Sequence, residues 1–321
     1  MSEGARTRDF GNGCYAWLQP NGGWGLANTG LVTDSDEALL IDTLFDYPET
    51  RAMLEGFRKA SDAKIRTLVN THHNGDHCYG NALVEGAEII ATERATESMT
   101  HENPAMLAGL MKAASGMGLT GEYFLHCFSR FHFDGIAQKL PDTTFTGHCT
   151  KYVGHKRIDL IKVGPAHTGG DALAFVPSDK TIFTGDILFI ETHPVIWAGP
   201  VGNWIAACET IMGLDVETIV PGHGPVTDKQ GVAKLTHYLN YIRDEAFARY
   251  EAGMNALEAA RSIALDDYAN WGDCERIAVN TAALYREFGA KDVPSDAATL
   301  FGWMAQLWKD RGGKLAPERK L

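Results

Sequence analysis

Thr71-His72-His73-Asn74-Gly75-Asp76-His77 is the stretch that decides how this chain is read. It follows residues 65–70, a short apolar run with the composition of a buried strand. His72, Asp76 and His77 thus fall within six residues on a tight loop. Such a loop can aim three side chains at one centre, and imidazole nitrogen with carboxylate oxygen suits zinc, iron or manganese. Alone, the stretch also reads as a solvated polar loop. Three later segments change the balance. His167 sits in Pro165-Ala166-His167-Thr168-Gly169-Gly170-Asp171, Asp186 ends the run Phe183-Thr184-Gly185-Asp186, and His223 sits in Pro221-Gly222-His223-Gly224. Each falls at a predicted strand end, and their ordered occurrence is a joint signal that none carries alone.

Working outward, residues 14–19, 28–33 and 38–42 read as strands, the last two joined as a hairpin by Asp34-Ser35-Asp36-Glu37. Residues 47–60 read as a helix with Met53, Leu54 and Phe57 on one face, and 87–91 as a strand. Residues 93–140 break the rhythm. Met99, Met106, Met111 and Met117 are followed by Tyr123, Phe124, Phe128, Phe131 and Phe133, a helical insertion that is either plain core or a cap over the loop histidines. Strands resume over 144–163, 171–176 and 181–183, a helix lies near 203–212, and 218–220 is a strand. From about Val226 the pattern is helical, ending in Leu300, Trp303, Met304, Leu307 and Trp308 at helical spacing.

The chain also echoes itself. A strand ending at Asp42 and another running into His72 resemble the strands that end at Asp186 and run into His223. The pairs are separated by 30 and 37 residues, as two similar β-rich halves would be, each delivering an Asp and a His to a common edge.

The ordered set resembles the metallo-β-lactamase superfamily, whose first motif is H-x-H-x-D-H, followed by H-T-x-G, an Asp or Cys at a strand end and a late G-H. The likeness covers roughly residues 13–226. It implies an α/β fold, a four-layer αβ/βα sandwich of two similar halves with metals at the shared sheet edge. A catalytic unit over 1–226 would carry the insertion at about 93–140, and 227–321 would be a C-terminal helical extension. The resemblance further implies one metal held by His72 and His167 with Asn74 at the middle position, a second held by Asp76, His77 and His223, and Asp186 bridging both. The chain departs from the family at Asn74, whose neutral amide oxygen is a poorer zinc ligand than imidazole. Asp186, rather than the Cys or Ser usual in lactamases proper, resembles the hydroxyacylglutathione hydrolases, lactonases and esterases.

The implied chemistry is hydrolysis of an ester or thioester with a bulky apolar or aromatic acyl group, by attack of metal-bound hydroxide oriented by Asp76. One or two Zn2+ are expected, with iron or manganese as alternatives. Two other readings stay open. The H-x-N-x-D-H form with a helical extension is similar to polyketide-type thioesterase/cyclases, and a di-iron redox or non-catalytic binding relative is the third possibility. No G-x-S-x-G occurs, so a serine hydrolase elbow is absent, and Gly11-Asn12-Gly13-Cys14-Tyr15-Ala16 lacks the preceding strand of a dinucleotide site.

Composition narrows the partners. Lys+Arg 29 against Asp+Glu 41 gives a formal charge of −12, the wrong sign for neutralising nucleic-acid phosphates. No apolar run approaches the ~18 residues of a membrane span. The first residues carry no apolar leader, and the cysteines at 14, 78, 127, 149, 208 and 274 are scattered, the pattern of reduced thiols in a cytoplasmic protein. The expected partner is a small apolar or aromatic substrate, with a homo-oligomer through the C-terminal helices as a further expectation.

Overall fold

A computed structural model describes residues 4–313; residues 1–3, on which the expectation about a leader bears, and 314–321 lie outside the described residues. Two sheets face each other. The first has strands β1 (Arg6–Asp9), β2 (Cys14–Leu18), β3 (Thr29–Asp34), β4 (Glu37–Ile41), β5 (Lys64–Val69), β6 (Glu88–Thr92) and β7 (Thr143–Phe145), in that spatial order. The second has β8 (His148–Val153), β9 (Lys156–Lys162), β10 (Ala172–Val176), β11 (Thr181–Phe183) and β12 (Thr218–Val220), also in chain order.

Strand alternation assigns every layer. Leu39 and Ile41 of β4 point between the sheets, where they meet Ala172, Ala174 and Val176 of β10. Ala38 and Leu40 point the other way, onto Met53 and Phe57 of helix α1 (Tyr47–Ala60). Leu173 and Phe175 of β10 likewise turn outward, into the cluster that holds Trp204 and Ile211 of α6 (Val201–Gly213) and Leu235 and Leu239 of α7 (Lys229–Glu251). A period of two on each strand therefore builds helix, sheet, sheet and helix in four layers.

The internal echo is also structural. β4 pairs parallel with β5 across the α1 crossover, and β11 pairs parallel with β12 across α6. Asp42 and Thr71 follow the first pair, and Asp186 and His223 follow the second, so both halves open their loops on one edge. The hairpin at 34–37 forms in the expected register, with Thr33 opposite Ala38.

The insertion comprises α3 (Glu93–Met99), α4 (Pro104–Ala113) and α5 (Gly118–Phe128), and in the chain it connects β6 to its parallel neighbour β7. The C-terminal segment continues with α8 (Ala256–Ser262), α9 (Ile277–Glu287) and α10 (Ala297–Asp310). Leu300, Met304, Leu307 and Trp308 of α10 are buried within the chain, where Trp308 meets Tyr123 of α5 at 5.7 Å between ring centres. No helix among the described residues is long and apolar enough to cross a membrane. All six cysteines are free.

Candidate metal centre

The loop after β5 is fixed from beneath. Asp42, held at φ 62°, accepts from the Thr71 backbone N–H and from Thr71 Oγ1, each at 2.7 Å. Asn70 Nδ2 donates to the His77 carbonyl at 2.9 Å. The chain then makes a single helical turn, α2 (Gly75–Cys78), which sends Asp76 and His77 back over the sheet edge. In the second half, Gly222 precedes His223, and a Cβ there would collide with Asp186 Oδ1. Only glycine lets that carboxylate lie against the backbone. His167 is carried on a turn closed by Asp171, whose carboxylate accepts from Thr168 Oγ1 at 2.6 Å and from the backbone N–H groups of Thr168 and Ala166.

All seven side chains singled out in the sequence converge. Asp186 is the hub. Its Oδ1 lies 3.0 Å from His77 Nε2, and its Oδ2 lies 3.3 Å from both His167 Nε2 and His223 Nε2 and 3.8 Å from His72 Nε2. It thus touches histidines of both expected ligand sets. Asp76 Oδ2 lies 3.4 Å from His223 Nε2 and 4.0 Å from His77 Nε2. Asn74 Oδ1 lies 2.8 Å from His167 Nε2. Two compact groups emerge, His72–His77–Asp186 and Asp76–His77–His223, with the potential ligand atoms of each within 4.8 Å of one another.

The chemistry of these donors fits divalent cations. His72 Nδ1 meets Thr71 Oγ1 at 3.1 Å, His77 Nδ1 meets Asp42 Oδ2 at 2.9 Å, and His167 Nδ1 meets the Val195 carbonyl at 2.7 Å. Thr71 Oγ1 already donates to Asp42, so each Nδ1 is the N–H donor, and in the neutral ring each Nε2 is the nitrogen that offers a lone pair inward. His72 Nε2, His77 Nε2 and Asp186 Oδ1 are buried without hydrogen-bond partners. The 3.0 Å approach of His77 to Asp186 therefore lacks hydrogen-bond alignment, as when two groups share a third body. Buried polar atoms left this way are costly unless something else satisfies them.

Protonation splits the four histidines. Burial pushes His167 down to about 4, and burial with the neighbouring His77 holds His72 well below its usual value. Burial also opposes charge on His77 and His223, but Asp186 and Asp76 outweigh it, raising His223 to about 9 and His77 well above normal. Burial disfavours the Asp186 carboxylate, yet His223 and His77 hold its pKa well below the usual range. A cation bound here displaces those protons, so binding is linked to pH.

A cavity of about 580 Å³ opens above this cluster. Asp76, Asn74, His167, Asp186 and His223 lie at its base, and Trp24, Phe45, Phe189 and Trp197 form part of its wall. The insertion supplies Met106, Leu107, Leu110, Met117, Phe124 and Phe128, and the C-terminal segment supplies Arg276 and Phe301. The insertion is thus both cap and core. Phe124 and Phe128 line the cavity, while Phe131 packs against Phe45 and Phe133 at 5.0 and 6.2 Å. Arg276 is buried, donates to the His193 carbonyl at 2.7 Å, pairs with Asp273 at 2.9 Å and lies over the Trp24 ring at 4.2 Å.

Sequence reasoning placed the seven central residues but not their support. Asp42 sits in the internal echo, yet it arrives behind His77 rather than beside the other inward-facing groups. Asp171 stood in the His167 segment without an assigned task. Trp24, Trp197 and Arg276 carried no local signal. Cys78 is buried, its thiol donates to the His73 carbonyl at 3.2 Å, and burial pushes its pKa well up, which leaves it inert beside the centre.

Comparison with known proteins agrees with this architecture. The chain is 19% identical over 263 residues to a linear primary-alkylsulfatase of Pseudomonas sp. (strain ATCC 19151), covering 73% of this chain and 49% of that protein. It is 24% identical over 197 residues to a hydroxyacylglutathione hydrolase of Rhizobium meliloti (strain 1021), covering 59% and 61%. The chain therefore spans between about half and three fifths of the length of these curated relatives. Among solved structures, a stereoselective inverting sec-alkylsulfatase from Pseudomonas sp. superposes with a TM-score of 0.67 at 15% identity, covering 92% of this chain and 51% of that one. A metallo-beta-lactamase from Pontibacter korlensis gives 0.55 at 16% identity, covering 74% and 99%. The sequence profile of one family matches residues 22–223, which hold every side chain of the cluster, and on that match the chain belongs to the metallo-beta-lactamase superfamily.

Proposed function

We propose that this chain is a metal-dependent hydrolase of an ester or thioester with a bulky apolar acyl group. The observation that carries the reading is the set of inward-facing, unpartnered imidazole and carboxylate atoms at the base of an aromatic-walled cavity. His72, His167 and Asn74 would hold one cation and Asp76, His77 and His223 a second, with Asp186 placed against histidines of both sets and zinc as the expected metal. A divalent cation supplies Lewis acidity there, which activates water at neutral pH and polarises the bond to be cleaved. The protein's part is positional. Asp76 is the cluster carboxylate with the most solvent contact, 13% against 4% for Asp186, so it is placed to orient the attacking water and take its proton. Asp42 fixes the His77 ring, and the aromatic wall excludes bulk water from the apolar half of the substrate. The division into a catalytic unit at 1–226 and an extension at 227–321 belongs to this proposal, with the extension completing the cavity through Arg276 and Phe301.

A sulfate ester of an apolar alcohol is the second reading. It is favoured by the alkylsulfatase structure, whose likeness extends over 92% of this chain and so reaches beyond the catalytic unit. Elemental analysis of freshly purified protein, then a panel of esters, thioesters, lactones and alkyl sulfates, tests both. Zinc with turnover of the carboxylic esters supports the first reading; turnover of alkyl sulfates alone replaces it with the second. Two irons with visible absorption and no hydrolysis refute both.

A further inference from the structure

Seven large hydrophobic side chains stay exposed among the described residues, and three of them, Met106, Leu110 and Met117, also line the cavity above the metal centre. Met106 is 62% exposed. The helix that carries the first two, Pro104–Ala113, has a single charge, Lys112, and that is paired with Asp134. Of its residues only Pro104 and Ala108 are buried. A helix with its outer face in water normally carries charge there, and an apolar face continuous with a pocket marks a place where a ligand lies.

We infer that the substrate carries one linear apolar tail, alkyl or acyl, whose far end leaves the cavity over Met106, Leu110 and Met117. This rests on the hydrolase reading for the head of the substrate and adds the shape of its other end. A compact aromatic group is accommodated by Trp24, Phe124, Phe128 and Trp197 inside and has no use for the rim. An extended chain has, and unbranched methionines follow such a chain at little cost. Two other occupants are disfavoured. A helix lying on an anionic membrane surface presents Lys and Arg beside its apolar face, whereas this one has only the paired Lys112. A second copy seated on the rim closes the route to the metal centre.

The test uses the intact metal-loaded protein. Trp24 and Trp197 line the cavity, so quenching of tryptophan fluorescence reports tail binding without turnover. Laurate and butyrate are titrated, and kcat/KM is measured for p-nitrophenyl laurate and butyrate below their critical micelle concentrations. A buried methylene is worth roughly fourfold in affinity, so laurate is expected to bind at least a hundredfold more tightly. Met106→Glu and Leu110→Glu should each lower the laurate-to-butyrate ratio at least tenfold, in binding and in kcat/KM. Met212→Glu on α6, as exposed as Leu110 at 40% but outside the cavity, should not. An unchanged ratio in both lid variants overturns the inference, as does a laurate preference seen only above the micelle concentration. A wild-type dimer that Met106→Glu dissociates without changing the ratio overturns it in favour of a second copy. Chain-length-dependent binding without cleavage of either ester sinks the hydrolase reading and leaves the tail subsite standing; equal cleavage and equal binding of both does the reverse.

Discussion

Replacing Phe124, Phe128 and Phe131 one at a time by alanine separates cap from core within eight residues. All three side chains are about equally buried, so all three should lose stability. A Phe→Ala change in a core costs about 3–5 kcal/mol. At about 2.1 cal/mol/K per residue, unfolding 310 described residues carries an entropy near 0.65 kcal/mol/K, so each variant should melt about 5–8 °C lower. Selectivity should divide them. Phe128 meets Trp24, Phe45, Phe124 and Phe301 at 4.8–6.0 Å and forms cavity wall, and Phe124 does the same beside Phe301. With about 0.8 kcal/mol for each methylene that loses contact, a bulky ester should lose one to two powers of ten in kcat/KM in these two variants. An acetyl ester should lose far less. Phe131, packed on Phe45 and Phe133 away from the cavity, should leave the ratio of the two esters unchanged. Differential scanning calorimetry with steady-state kinetics on both esters gives the answer. Equal losses for large and small esters in all three variants would refute the reasoning and remove the support for an apolar substrate.

Other outcomes follow from the same geometry. His223→Ala removes a ring stacked on Phe189 and a member of one compact group, and should release metal and abolish turnover without unfolding; full metal content by elemental analysis contradicts the assignment. Asn74→His should hold the metal beside His167 more tightly against a mild chelator, without necessarily raising the rate, because metal binding and transition-state stabilisation are separate quantities. Two metals of equal affinity in the unaltered protein count against it. His193 is buried between Tyr238 and the Tyr268 carbonyl, and burial lowers its pKa to about 3. The unfolded chain binds this proton near 6.5 and the folded one does not, so its contribution is complete above pH 6.5 and fades as pH falls toward 3. His193→Gln should flatten the acid limb of the melting temperature against pH; an unaltered slope rules His193 out as its source.

The central residues were legible because each stands where a strand stops, and the strand is readable from its apolar run. His72, His167, Asp186 and His223 all have that context, and the sheet edge gathers them whatever lies between. The edge strand Arg6–Asp9 was not legible, since Arg-Thr-Arg-Asp has no apolar alternation and takes its form from pairing with β2. The cavity wall was invisible for a different reason. Trp24 and Arg276 stack on each other from opposite ends of the chain, and local pattern holds no record of such a meeting. Phe128 and Phe131 are three apart, the spacing of one helical face, but α5 ends at Phe128 and the next turn points elsewhere. Asp42 was visible as a strand end, while its task depended on which way the His77 ring turned.

The cavity wall has a consequence for the order in which this protein comes into being. Every side chain of the metal cluster has been synthesised by residue 223, but Phe301, which faces Trp24, Phe124 and Phe128, is 78 residues further on. At about 5–20 residues per second, a ribosome takes roughly 4–16 s to cover that distance. For that interval the nascent chain holds a complete set of cation-binding groups under an unfinished roof. Cation capture can therefore precede discrimination: α10, which carries Phe301, is made after every residue of the cluster, and in the proposed reaction it completes the wall that selects the substrate.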